Sequence, residues 1–240
     1  MTGPPILSVV LPVFDERENL APLVEEVGVA LAGLPYEIIA VDDGSGDGSL
    51  DELRRLRRLQ PALRLVTLAR RAGQTAALVA GWERARGPVV VTLDADGQND
   101  PADIPLVVAT LERDGMDLVA GVRVSRRDSW WKRWQSRIAN RARDRITGHH
   151  VADTGCGLKA ARRATFLALP RFDGMHRFLP TLVTLGGGRV AEVPVAHRPR
   201  RYGRTKYGMT NRAGRGLTDA LGVRWLSRRR LRYDASEIRD

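Results

Sequence analysis

Two short acidic clusters hold the residues of this sequence best suited to chemistry. Asp94 and Asp96, in Thr92-Leu-Asp-Ala-Asp-Gly-Gln98, stand at the end of an apolar run, Val89 to Leu93, where alternate residues of a strand point to one side. Two carboxylates spaced i, i+2, with coordination positions to spare, suit Mg2+ or Mn2+ bridging a diphosphate, because the cation neutralises charge on a leaving phosphate. Gln98 adds a carbonyl oxygen as a ligand or a hydrogen-bond partner. A polar turn closing a strand, with Asp96-Gly97 as turn residues, is the competing reading of so short a motif.

The second cluster, Val41-Asp-Asp-Gly-Ser-Gly-Asp-Gly48, admits three readings. A calcium loop begins well with Asp43, Ser45 and Asp47, but its twelfth position is Arg54 where a bidentate Glu belongs. A dinucleotide fingerprint fails, since glycines at 44, 46 and 48 lack the G-x-G-x-x-G spacing and the aspartates would repel a pyrophosphate. A nucleoside pocket is chemically sensible. Carboxylates there accept from base N–H groups and ribose hydroxyls, while the glycines permit close approach.

The elements that must hold these clusters follow from hydrophobic spacing. Ile6 to Leu11, Tyr36 to Val41, Leu63 to Leu68, Val89 to Leu93 and Asp117 to Val122 are short apolar runs that read as buried parallel strands. Helical spacing fills the gaps, at Leu20 to Leu31, Leu50 to Leu59, Thr75 to Ala85 and Ile104 to Leu111. This alternation predicts an α/β fold, a doubly wound and mostly parallel sheet with right-handed crossovers. Ligands of such sheets sit beyond the carboxyl ends of the strands, where both acidic clusters fall. Further on, Thr154 to Ala160 and Arg189 to Val195 read as strands, and Phe178 to Leu185 as a short helix.

Charge is distributed unevenly. The net charge is +11, but the segments Arg123 to Arg145, Arg198 to Arg215 and Arg224 to Arg232 hold 21 basic residues against two acidic ones, leaving the rest at −8. An acidic body with basic segments in its second half points to a polyanionic partner. Two stretches that overlap these segments have amphipathic spacing. Trp130, Trp131, Trp134, Ile138 and Ala142 recur among arginines, and Met209, Ala213, Leu217, Leu221 and Trp225 recur at intervals of four among others. The lone Cys156 excludes an internal disulfide framework, and His149, His150, His176 and His197 lack metal spacing. No run approaches the roughly 18 apolar residues of a bilayer span, and Met1 to Pro5 lacks the features of a signal peptide, so a cytoplasmic location is expected.

The order of motifs resembles one family. Pro12-Val-Phe-Asp-Glu16, Asp42-Asp-Gly-Ser45, Ala69-Arg-Arg-Ala-Gly-Gln-Thr-Ala-Ala77, Asp94-Ala-Asp-Gly-Gln98 and Arg200-Arg-Tyr-Gly-Arg-Thr-Lys206 are similar to the inverting family 2 glycosyltransferases. Within them, the chain is most similar to the dolichol-phosphate mannosyltransferase and polyprenyl-phosphate glycosyltransferase branch. The resemblance implies a GT-A fold and metal-dependent transfer of a sugar from a UDP- or GDP-sugar to a polyprenyl phosphate, with inversion at the anomeric carbon. It implies that Pro12, Phe14, Glu16, Asp42, Asp43, Ser45, Gln74 and Asp94 bind the nucleotide-sugar, and that Asp94, Asp96 and Gln98 hold Mg2+ or Mn2+. Phe14 stands where the family more often has tyrosine, and Leu158-Lys159 where it has Phe-Arg.

The same resemblance places the acceptor phosphate on Arg123, Ser136, Arg200 and Lys206. A phosphate monoester is already an oxyanion near neutral pH, so cations that position it supply catalysis without an obligatory general base. Asp96, Asp153, Arg123, Arg200 and Lys206 are the catalytic candidates, with Asp153 orienting a sugar hydroxyl or the acceptor. A lipid acceptor further implies a peripheral location on the inner membrane face. The basic amphipathic stretches would meet anionic lipid or a separate integral membrane partner. Residues 1–208 are expected to form the catalytic domain, 1–100 its nucleotide-sugar half and 101–208 its acceptor half, followed by a basic C-terminal segment, 209–240. The rival readings are a soluble family 2 enzyme acting on a saccharide and a basic nucleic-acid-binding protein. The second lacks a reader motif and is opposed by the aspartates, so no nucleic-acid partner is expected.

Overall fold

A computed structural model describes residues 4–124, 145–146, 148, 150–203 and 209–229. Seven strands among them form one sheet: β1 (Leu7–Val13), β2 (Tyr36–Asp42), β3 (Leu63–Thr67), β4 (Val89–Thr92), β5 (Leu118–Arg123), β6 (Lys159–Arg162) and β7 (Val190–Val195). Their spatial order is β3-β2-β1-β4-β6-β5-β7. The helices are α1 (Arg17–Ala30), α2 (Ser49–Leu59), α3 (Gln74–Arg84), α4 (Ile104–Arg113), α5 (Arg163–Ala168), α6 (Leu179–Leu185) and α7 (Met209–Arg229).

The continuous apolar runs are explained by helices on both faces. In β1, Val9, Leu11 and Val13 join one core with Leu20, Leu23 and Val27 of α1, Leu53 of α2 and Val107 of α4. Val10 points the other way, into a core with Ala77 and Trp82 of α3, Phe166 of α5, Val183 of α6 and Val223 of α7. Trp82 stacks on Phe166 with ring centroids 4.4 Å apart. Gly81 lets α3 lie this close to β1, because a Cβ there would drive into the side chain of Val10.

Strand pairing departs from the simple parallel expectation at one place. β1, β2, β3 and β4 pair in parallel, as do β5 and β7, whereas β6 runs antiparallel between β4 and β5. The strand expected over Thr154 to Ala160 is confined to Lys159–Arg162. The preceding residues turn instead, with the Gly155 N–H donating to Asp153 and Thr92 Oγ1 donating to the Gly157 carbonyl. The chain leaves β1 toward β2 on one side and returns to β4 on the other. This opens the crevice at the carboxyl ends of β1 and β4 where ligands of doubly wound sheets bind.

Candidate active site

The corner expected to take the nucleoside is made by the loops after β1 and β2. Asp42 closes β2 and is buried; its Oδ2 accepts the Ser45 N–H at 3.4 Å, and its Oδ1 is buried with no hydrogen-bond partner. A buried carboxylate oxygen without a donor is costly unless a ligand supplies one. Ser45 Oγ accepts from the Asp15 N–H, pinning the β1 loop to the β2 loop. Asp43 has a different task. Its two oxygens accept the N–H groups of Ala72 and Gly73 at 2.6 and 2.8 Å, which braces the turn that starts α3. Phe14 offers its ring to the Arg71 guanidinium, 3.9 Å from the ring centroid, and Pro12 lies in β1 opposite Val41. Arg71 was not singled out by the sequence, where it is one of two adjacent arginines.

The acidic pair lies just beyond β4 rather than on it. The strand ends at Thr92, and Asp94 and Asp96 enter a turn completed by Gly97 at φ 70°. Gln74, the first residue of α3, donates to Asp94 Oδ1 at 2.8 Å. Gly157 packs its backbone on the same carboxylate, where a Cβ would collide with it. Burial raises the Asp94 carboxyl to about 6, and the charge of Asp96 adds to this, against the nearby cations Lys159, Arg123 and Arg200. Gln98 contributes its main chain, its N–H donating to Asp96 and its carbonyl accepting the Arg198 N–H. Among the described residues no cluster of three or more His, Cys, Asp or Glu forms a metal cage. The hard oxygens present fit a divalent cation only if substrate phosphate and water complete its coordination, which is how Mg2+ and Mn2+ are commonly held.

The cationic side converges on the same rim. Arg123, the last residue of β5, forms a two-pronged pair with Asp153 at 2.6 and 2.8 Å, and its N–H also reaches Asp153. Two catalytic candidates are thus partners of each other. Arg200 bridges Glu16 at 3.0 Å and Asp96 at 2.7 Å, joining residues expected on the acceptor, nucleoside and metal sides. Ser136, Lys206 and the tryptophans at 130, 131 and 134 lie outside the described residues.

Two further groups border the site. Lys159 is buried at the start of β6, with Nζ on the Cys156 carbonyl; burial lowers its pKa against the attraction of Cys156, Asp94 and Asp153. His176 Nδ1 lies 2.7 Å from Thr75 Oγ1, and burial with the charges of Arg177 and Lys159 lowers its pKa to about 3, so it is neutral near pH 7. Neither has distinctive spacing in the sequence; the signals there were Lys159, standing where the family has arginine, and the likeness of His176-Arg177 to a family segment before the helix at Phe178.

A mixed α/β sheet whose switch-point crevice holds a D-x-D turn defines the GT-A class of fold. Residues 8–168 match the profile of glycosyl transferase family 2, and the chain belongs to that family. It is 41% identical over 232 residues to the dodecaprenyl-phosphate galacturonate synthase of Rhizobium johnstonii, covering 94% of this chain and 68% of that protein. It is also 41% identical over 207 residues to the undecaprenyl-phosphate 4-deoxy-4-formamido-L-arabinose transferase of Serratia proteamaculans, covering 85% and 63%. The chain therefore spans only about two thirds of the length of these relatives. Among solved structures it resembles glucosyl-3-phosphoglycerate synthase from Mycobacterium tuberculosis, with a TM-score of 0.70 and 23% identity over 92% of this chain and 81% of that one. A mannosyltransferase from Pyrobaculum calidifontis, in complex with GDP-Man and Mn2+, aligns with a TM-score of 0.63 and 18% identity over 94% and 74%.

Proposed function

We propose that this chain is an inverting, metal-dependent glycosyltransferase that moves a sugar from a nucleoside diphosphate to a polyprenyl phosphate. The observation that carries this reading is the meeting of the carboxylates Asp94 and Asp96 with the partly buried guanidinium groups of Arg123 and Arg200 on one rim. A site that gathers cations beside a diphosphate corner suits an anionic nucleophile. The names of the polyprenyl-phosphate relatives support the same acceptor class.

In this mechanism Asp42 Oδ1 accepts from the base or ribose, and Phe14 and Arg71 offer faces for stacking. Asp43 braces the α3 turn, from which Gln74 orients Asp94. Asp94 and Asp96, with Gln98 beside them, would hold a divalent cation that neutralises the leaving diphosphate. A phosphate oxygen of the acceptor attacks the anomeric carbon from the face opposite the diphosphate. The new C–O bond forms as the glycosidic C–O bond to the diphosphate breaks, so the nucleoside diphosphate departs with the electron pair and the configuration inverts. Arg123, held by Asp153, and Arg200 position the incoming phosphate and screen it from the donor. Ser136 and Lys206 are assigned to the same phosphate by resemblance.

Among the described residues no helix is long and apolar enough to cross a membrane. We assign the membrane contact to α7, where Leu221 and Trp225 are 52% and 60% exposed beside the exposed Arg228 and Arg229. Exposed apolar side chains ringed by arginine suit an anionic lipid surface or a separate membrane protein. The test is transfer of labelled sugar to undecaprenyl phosphate in vesicles, after a thermal-shift panel of UDP, GDP and their sugars with and without Mg2+ or Mn2+. A metal-dependent shift with one nucleotide followed by lipid-linked product is the expected result. No shift with any nucleotide, or transfer only to water-soluble acceptors, overturns the reading.

A further inference from the structure

The segment His197 to Gly203 lies over the turn after β4 and the start of α1 and is anchored on both sides of Arg200. Toward β7, Asn99 bridges His197, the Arg198 N–H donates to the Gln98 carbonyl at 2.8 Å, and the Arg198 guanidinium spans Glu26 at 2.6 Å and Asp100 at 2.5 Å. Beyond Arg200, the Tyr202 carbonyl accepts from Asn19 at 3.5 Å. Between these anchors, Arg200 places one prong on Glu16 and the other on Asp96.

The two partners differ. Glu16 is 8% exposed, its other oxygen accepts Asn19 Nδ2 at 2.7 Å, and its N–H donates to Ser49. A carboxylate so enclosed is costly to leave without its cation. Asp96 sits in a turn, its other oxygen takes the Gln98 N–H, and it repels Asp94. The prong on Asp96 is therefore the one that can be exchanged, and the prong on Glu16 is the pivot.

We propose that Arg200 is a resident counter-ion of Asp96, which a divalent cation must displace to reach that carboxylate, and that the released prong then meets the acceptor phosphate while Glu16 and Asn19 keep the guanidinium in place. This inference rests on the reading of Asp96 as a metal ligand. It makes donor loading the step that frees the acceptor-binding cation, so donor with metal binds before the lipid. The same N–H donors that fit a carboxylate fit a phosphate oxygen, so the released prong can exchange one for the other. Glu16 and Asn19 become positioning residues for the acceptor, a role the sequence assigns to neither.

The experiment is titration of Mn2+, followed by the paramagnetic resonance of the free ion, into the wild-type chain, Arg200→Gln, Arg200→Lys and Asp96→Asn, each with and without UDP or GDP. Removing a competing cation should tighten binding of Mn2+ alone by about tenfold in Arg200→Gln, within the usual span of coupling between ligands. Arg200→Lys, whose point charge cannot span both carboxylates, should give a smaller gain, and it carries the test if the glutamine variant does not fold. Equal or weaker Mn2+ binding in the folded Arg200 variants overturns the inference while leaving the metal site standing. If Asp96→Asn binds Mn2+ with nucleotide as tightly as wild type, the reading of Asp96 as a ligand fails and the inference falls with it.

Discussion

Replacing Asp153 by Asn tests whether that carboxylate works on the reacting groups or through Arg123. In the structure both of its oxygens are engaged, at 2.6 and 2.8 Å from Arg123 and at 3.0 Å from the Gly155 N–H. The side chains of the pair are only 16% and 9% exposed. Removing one member of an enclosed ion pair costs about 3–5 kcal/mol because the other is left charged and underpartnered. Asparagine retains one acceptor oxygen and the shape, so about 2 kcal/mol is expected for Asp153→Asn, and the full amount for Asp153→Ala. Urea unfolding of both variants measures this, and in a cycle of Arg123→Met, Asp153→Leu and their double variant the double should recover most of the loss of the singles. If Asp153 acts by positioning Arg123, Asp153→Asn should raise the acceptor KM more than it lowers kcat, and it should leave the pH profile unmoved. A variant of wild-type stability, or one whose pH profile loses an ionisation, refutes this reasoning.

Further predictions follow from the same geometry. The Asp94 carboxyl, raised from 3.8 to about 6 by burial and then by Asp96, is favoured by the fold in its protonated form. Its contribution to stability is thus full below about pH 3.8 and lost as pH rises through about 6, at most about 3 kcal/mol. Mn2+ must displace that proton, so its affinity should fall about tenfold per pH step below 6, and Asp94→Asn should erase the trend in a metal titration. Gly157→Ala should crowd Asp94, costing about 1–3 kcal/mol in thermal unfolding and weakening Mn2+ binding; a variant equal to wild type in both would sink the packing argument. Leu221→Ser with Trp225→Ser should weaken partition onto anionic vesicles by about tenfold without loss of melting temperature, since both side chains are exposed. Unchanged partition would move the membrane contact elsewhere.

The local elements were readable because each is encoded by neighbours in the chain. β1, β2 and β4 are continuous apolar runs, and α2 alternates Leu53 and Leu56 with outward arginines, so short-range spacing suffices to locate them to within a residue or two. The acidic clusters were likewise legible, because their chemistry depends on residue type and on position at a strand end. Reversal of β6 was not, since Lys159–Arg162 looks like any short strand, and its direction depends on where the chain re-enters the sheet.

Residue type and spacing by themselves determined the α/β class, the D-x-D corner and the basic character of the second half. Only the tertiary structure decided which charges face each other. It paired Arg123 with Asp153 across 30 residues and Arg200 with Asp96 across 104, gave Asp43 to the α3 turn, and left Asp42 Oδ1 with no partner. The physical reason is that a carboxylate's role depends on which donors reach it and how much water remains. Those are properties of distant segments brought together, and no local pattern encodes them.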